Sequence, residues 1–302
     1  MTTLGPDDVA AAADRIAGRV RRTPLLGIED GAFGVSGRLA LKLDLLQPTG
    51  SFKVRGATNL LAGSRVPDAG VVAASGGNFG LAVAWAARAL GHRATIVVPD
   101  SSPASKRDPL RALGADLEVV PGVYADALAR ADALVADRGA LRAHAYDDPL
   151  VVAGQGTAAA EVLADLPEVD TVVVAVGGGG LLAGTCAALP AHVRVIAVET
   201  DGCPTLHAAV DAGEPVDVEV GGLAVSALGA RRIGDHAWAV RDRITAALTV
   251  PDDAVADAQA RLWDTCRLRA EPAGATALAA LTSGAYRPED GERVAIWVCG
   301  AN

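Results

Sequence analysis

The sequence predicts an open α/β fold with parallel sheets, and three observations carry that prediction. Short apolar runs at 70–75, 94–99, 171–176 and 193–199 lack polar alternation, so both faces of each strand would be covered. Glycine or proline turns and helix-length segments separate them, which is the strand–turn–helix order of βαβ units. The chain is 51% hydrophobic but only 3% aromatic, so its core must be packed from Ala, Val and Leu. A length of 302 residues suits one large domain or two modest ones.

Taken in order, Pro6, Asp7 and Asp8 suit the start of an amphipathic helix reaching to Val20, and Arg21-Arg22-Thr23-Pro24 breaks it. Residues 39–44 read as a strand. A Pro/Gly turn at 47–50 follows, then a helix that opens near Lys53 and includes 57–61. The strand at 70–75 runs into Gly76-Gly77-Asn78-Phe79-Gly80 and a helix at 81–90, stopped by Gly91. Next come a strand at 94–99, a helix at 105–113 broken or offset at Pro109, a strand at 116–120 and a helix at 123–138. Residues 144–149 form a polar break before a helix at 157–166. The strand at 171–176 delivers four consecutive glycines, Gly177 to Gly180, and a helix at 182–189. A strand at 193–199, a looser Gly- and Val-rich stretch at 211–230, helices at 252–267 and 274–281, and a strand at 293–299 complete the pattern.

Composition narrows the function. A net charge of −9 argues against a nucleic-acid partner, which would want a basic face, and suits a protein that handles small molecules. The uncharged run at 171–189 is long enough to suggest a membrane span, but the four glycines inside it would break a lone helix; strand, loop and helix fit better. The first residues lack the basic and apolar regions of a secretory leader, and the four cysteines include no CxxC pair. Free thiols in a reducing, cytoplasmic compartment are the expectation.

Two loops suggest chemistry. The chain has three lysines, Lys42, Lys53 and Lys106, and all its other cationic side chains except histidine are arginine. Lys53 follows a Pro/Gly turn inside an apolar stretch, where a primary amine can lose its proton and form an imine; arginine can do neither. On its own, such a lysine also reads as a surface residue with its stem laid on apolar neighbours. The tetraglycine loop, at a strand end before a helix, can wrap backbone N–H groups around a dianion; on its own it also reads as a tight packing turn. It is neither a Walker A motif nor a GxGxxG pattern. An amine loop and a phosphate loop together point to a phosphorylated aldehyde held as an imine, pyridoxal 5′-phosphate.

Over nearly its whole length the sequence resembles the serine/threonine dehydratases among the fold-type II, tryptophan-synthase-β-like pyridoxal-phosphate enzymes. Gln47-Pro48-Thr49-Gly50-Ser51-Phe52-Lys53 matches the lysine motif, Ser75-Gly76-Gly77-Asn78 the asparagine loop, Gly177 to Leu181 the phosphate loop and Val298-Cys299-Gly300 the terminal strand. The resemblance implies two parallel-sheet α/β domains, a large one from 1–60 and 149–302 and a small one from 61–148, with the cofactor in the cleft between them. It implies that Lys53 forms the Schiff base and takes the substrate Cα proton. Phe52 and Ala227 would lie on opposite faces of the ring, Asn78 by its 3′-oxygen and Cys299 by its nitrogen. Gly177, Gly178, Gly179, Gly180 and Leu181 would hold the phosphate. Ser75, Gly76 and Gly77 would hold the substrate carboxylate. The implied reaction is β-elimination from L-serine and/or L-threonine to a 2-oxo acid and ammonia, by a homodimer. The alternative is another β-hydroxy amino acid, such as 3-hydroxyaspartate or an aryl-serine, undergoing elimination or racemisation.

There are departures. Racemising relatives carry a serine where this chain has Gly76, so efficient racemisation is not expected. Many relatives carry histidine where this chain has Phe79. Gly221 stands nearest the aspartate of the divalent-metal relatives, so that site is not expected. The stretches 199–205 and 226–230 instead resemble liver-type serine dehydratases. They imply a potassium site around Gly177, Glu199, Cys203, Thr205, Leu228 and Ala230, mostly through carbonyls.

Overall fold

The computed structural model describes residues 4–302. Ten strands form two sheets: β1 (Leu25–Gly27), β2 (Arg38–Lys42), β3 (Val71–Ala74), β4 (Ala94–Pro99), β5 (Asp116–Val120), β6 (Leu141–Arg142), β7 (Thr171–Ala175), β8 (Arg194–Thr200), β9 (Ala246–Val250) and β10 (Arg293–Trp297). The larger sheet has the order β1-β2-β10-β7-β8-β9 and the smaller β5-β4-β3-β6. Every pairing is parallel except that of β1 with β2. These are two α/β domains, the smaller sheet lying in sequence between β2 and β7 of the larger.

The uniform apolar character of the strands has the expected cause. Val172 and Val174 pack into one core cluster with Leu182, and Val173 packs into the cluster on the other face with Leu278. In the smaller sheet Val71 and Ala73 face one cluster, Val72 and Ala74 another. The helix Lys53–Gly63 puts Val54, Ala57, Leu60 and Leu61 into the cluster that covers the smaller sheet. At roughly 2 kcal/mol per buried Leu or Val side chain, these clusters provide most of the drive to fold.

A charged network supports the base of the lysine loop. Arg55 and Asp44 are fully buried and paired at 2.8 Å, and Arg55 Nη1 reaches Glu161 at 2.6 Å. Lys42, also fully buried, pairs with Glu161 and donates to the Thr23 carbonyl at 2.7 Å.

Some elements depart from the sequence expectation. The first helix is Pro6–Ile16, ending before Val20. The helix expected at 157–166 is Pro149–Asp165, capped by the Asp148 carboxylate on the N–H groups of Leu150 and Val151. The helix Ala104–Ala112 continues through Pro109. Strands β1, β6 and β9, and the helices Thr205–Ala212 and Asp235–Ala239, were not anticipated. No helix among the described residues is long and apolar enough to cross a membrane.

Candidate active site

Sheet order gathers the motifs. Strands β2, β10 and β7 are parallel neighbours, so their carboxyl ends place the lysine loop, Cys299 and the tetraglycine loop side by side. Pairing continues past the strands: Val298 N–H donates to the Lys42 carbonyl, Leu45 N–H to the Val298 carbonyl and Phe52 N–H to the Cys299 carbonyl at 3.0 Å. A narrow cleft results. Phe52, Lys53, Asn78, Gly177, Gly178, Gly179, Gly180, Leu181, Ala227, Leu228, Glu271 and Cys299 are among the residues that line it.

Lys53 begins the helix Lys53–Gly63 and donates from Nζ to the Ala145 carbonyl at 2.9 Å. Its ammonium lies 5.0 Å from the Phe52 ring centroid and 5.9 Å from that of Phe79. Burial lowers its pKa to about 8, against the opposite pull of Cys299 and Glu271. Cys299 is buried with its thiol on the Ala273 carbonyl at 3.4 Å, and burial pushes the thiol up.

Across the cleft, the helix Gly180–Ala188 starts at Gly179, whose φ of +89° lies in the left-handed region. Among the described residues, no acceptor meets the N–H groups of Gly177, Gly178, Gly179, Gly180 or Leu181. A Cβ on Gly178 would sit 2.3 Å from the Tyr146 ring, and one on Gly179 2.3 Å from the Ala237 methyl. Packing therefore demands the glycines on one side while their donors stay free on the other. Such a cradle fits a phosphate, and the low-pKa amine fits its aldehyde.

The third loop stands at the rim. Asn78 opens the helix Asn78–Leu90 and reaches the cleft. Ser75, Gly76 and Gly77 lie just outside the lining; a Cβ on Gly77 would be 3.5 Å from the Ser226 carbonyl, next to Ala227. Of the six expected cation ligands, three meet at the Thr205 hydroxyl. Thr205 Oγ1 lies 2.7 Å from the Gly177 carbonyl oxygen and 3.0 Å from Glu199 Oε1. The Leu206 and His207 N–H groups also donate to Glu199, yet burial pushes its carboxyl up to about 7. Leu228 packs against Gly177, and Ala230 N–H donates to the Leu228 carbonyl at 2.8 Å. The Cys203 thiol instead lies on the Gly221 carbonyl at 3.4 Å.

Two site residues escaped the sequence reading. Glu271 lines the cleft, accepts from Asn78 Nδ2 at 2.7 Å and has its carboxyl raised to about 7, chiefly by burial. Asn302 donates to Asn78 Oδ1 at 2.6 Å. The only trace of Glu271 in the sequence is a lone acid between Ala270 and Pro272, before a helix of small residues.

The sequence pattern of the family described as "Pyridoxal-phosphate dependent enzyme" matches residues 16–300. The chain belongs to this family. Among similar members, L-threonine ammonia-lyase of Geobacter sulfurreducens is 36% identical over 295 residues, 95% of this chain and 73% of that one. A solved threonine deaminase, from T.th., is 36% identical with a TM-score of 0.90, covering 99% of this chain and 98% of that one. Maize serine racemase superposes with a TM-score of 0.94 at 30% identity, over 100% of this chain and 94% of that one. The fold is that of a fold-type II pyridoxal-phosphate enzyme, and the family supplies the cofactor that the cradle and amine fit.

Proposed function

We propose that this protein is an ammonia-lyase that removes water from L-serine and/or L-threonine and releases a 2-oxo acid and ammonia. The observation that carries this reading is a low-pKa amine facing a glycine cradle of unpaired N–H groups, in a chain similar to a threonine ammonia-lyase. Pyridoxal phosphate bound there supplies an electron sink for the charge left when Cα loses its proton. Lys53 holds the cofactor and is the base; its lowered pKa makes the neutral amine far more populated near physiological pH than in an ordinary lysine. Ser75 and the N–H groups of Gly76 and Gly77 receive the substrate carboxylate. Phe52 and Ala227 bound the ring site from its two faces, and Asn78 offers a donor to the ring oxygen.

Cys299 shapes the outcome. A buried thiol held neutral by burial cannot keep a ring nitrogen protonated as a carboxylate would. With the group bound, charge left at Cα would be less fully stabilised, which would favour loss of the β-hydroxyl as water. Racemisation, the activity named for the maize relative, needs an acid on the opposite face, and Gly76 has no side chain to supply one.

The finer reading has further parts. Residues 1–60 and 149–302 would form the cofactor domain and 61–148 the smaller one, in a cytoplasmic homodimer. Potassium would be held around Gly177, Glu199, Cys203, Thr205, Leu228 and Ala230. In support, a buried carboxyl with three donors on it and a raised pKa favours a nearby cation. The test is an absorbance titration of the holoenzyme with L-serine and then L-threonine, with detection of oxo acid and ammonia. Release from either supports the reading. A bound cofactor whose spectrum neither amino acid moves, or turnover only of 3-hydroxyaspartate or an aryl-serine, overturns it.

A further inference from the structure

The Asn78 carboxamide sits between two groups of opposite hydrogen-bonding sense. Its Nδ2 donates to Glu271 Oε1 at 2.7 Å, and its Oδ1 accepts from Asn302 Nδ2 at 2.6 Å. Asn302 Nδ2 also donates to the Thr49 carbonyl at 2.8 Å, so both of its hydrogens are engaged. A backbone carbonyl and a carboxylate thus stand at the two ends of the chain, and both can only accept. That fixes the sense of each amide between them. Turning Asn78 over would set its oxygen against the Glu271 oxygen and its NH2 against the NH2 of Asn302.

The backbone around this chain leaves little play. Glu271 N–H donates to the Gly300 carbonyl at 3.0 Å, and Ala301 N–H to the Gly50 carbonyl at 2.9 Å. A Cβ on Gly300 would lie 2.0 Å from Glu271 Oε1, and one on Gly50 2.4 Å from Asn302 Oδ1.

We propose that Glu271 and Asn302 are positioning residues that lock the Asn78 amide with a hydrogen, not its carbonyl oxygen, facing the cleft. The proposal rests on the reading of Asn78 as the partner of the ring oxygen. An N–H there stabilises an oxyanion on the cofactor ring, and a carbonyl there would repel it. The groups that act on Glu271 are the Asn78 amide, the Lys53 and Lys106 ammoniums and the Cys299 thiol. Loss of charge on Glu271 loosens the lock, because a protonated carboxyl can donate as well as accept.

The experiment reads the cofactor, not turnover. Cofactor-free wild type, Asn302→Asp, Asn302→Ala, Glu271→Ala and Glu271→Gln are titrated with pyridoxal phosphate, recording the absorbance maximum and Kd, with circular dichroism to confirm folding. Asn302→Asp offers only acceptors to Thr49 and Asn78, so the Asn78 amide can satisfy its two neighbours in neither sense. The expected result is a displaced absorbance maximum and binding weaker by about tenfold. Asn302→Ala should give a smaller change in the same direction. Glu271→Ala should weaken binding, and Glu271→Gln, whose amide can accept from Asn78 but can also donate, should recover only part of the loss. In an Asn78→Ala background, Asn302→Asp should have no further effect. The proposal is overturned if Asn302→Asp matches wild type within about twofold in Kd with an unmoved maximum. It is equally overturned if the effect persists without Asn78. Failure of the underlying reading is distinct: wild type would then show no cofactor band, or Lys53→Ala would keep it.

Discussion

The amide of Phe52 donates to the carbonyl of Cys299 at 3.0 Å, tying the residue before the amine to the end of the central strand. The amine therefore starts from a fixed point on the larger sheet, and the consequences of changing it are sharp. Lys53→Arg keeps the charge but cannot form an imine or give up its proton; Lys53→Ala removes both functions. Each should lower turnover of serine and threonine by on the order of 10⁴-fold. Mass spectrometry after borohydride reduction should find the cofactor on the Lys53 peptide of wild type alone. Turnover within about tenfold of wild type would refute the assignment.

The same amine has a pH signature. Its pKa falls from the ordinary 10.5 to about 8 because burial disfavours the ammonium. A depressed folded-state pKa contributes stability that is present above 10.5 and lost as pH falls through 8. Lys53→Met should therefore stabilise the cofactor-free protein at neutral pH and lose that advantage toward the ordinary lysine value, read by urea denaturation at several pH values. Cofactor capture by wild type should accelerate with pH around a midpoint near 8. A midpoint near 10.5 would sink the prediction.

The glycine cradle should not accept a methyl group. In Gly178→Ala the new Cβ would meet the Tyr146 ring at 2.3 Å, and only a displaced loop relieves that contact. Cofactor affinity should fall by tenfold or more, about 1.4 kcal/mol. Tyr146→Ala on top of Gly178→Ala should restore part of it, whereas Gly179→Ala adds strain at a φ of +89° that no neighbouring deletion cures. Equal cofactor Kd values for Gly178→Ala and wild type would exclude the cradle.

Arg55 should matter for stability more than any exposed arginine. It is fully buried and serves Asp44 and Glu161 together, so Arg55→Ala leaves Asp44 without its ion-pair partner in a dry site. A loss of about 3–5 kcal/mol is expected in chemical denaturation. Arg93→Ala, at an exposed pair with Asp116, should cost less than about 1 kcal/mol.

The strand–loop–helix frame was legible where glycine or proline marks its corners. Strands at 94–99 and 116–120 stand as the sequence places them. It was less legible where glycine serves contact between helices. The helix expected at 157–166 starts at Pro149, and Gly154 and Gly156 lie inside it. A Cβ on Gly154 would be 2.7 Å from the Gly56 Cα, and one on Gly156 2.6 Å from the Gly184 carbonyl oxygen. Pro109 misled: it sits in the second turn of an exposed helix. At the site, the sequence singled out Lys53 and the glycine loop from their local pattern, and the structure brings them to one cleft. Glu271 and Asn302 were not singled out, because each acquires its role only from a partner more than 190 residues away.

The helix Lys53–Gly63 has its first residue at the larger sheet and its apolar face in the core of the smaller one. It therefore links the two sheets, with Lys53 at its larger-sheet end. Were the smaller sheet to shift, Ser75 and Gly76 at the end of β3 would move with it, while Lys53 would stay tied through Phe52 to the larger sheet. On the proposed reading, the hold on a substrate carboxylate would then be adjustable separately from the aim of the Lys53 amine.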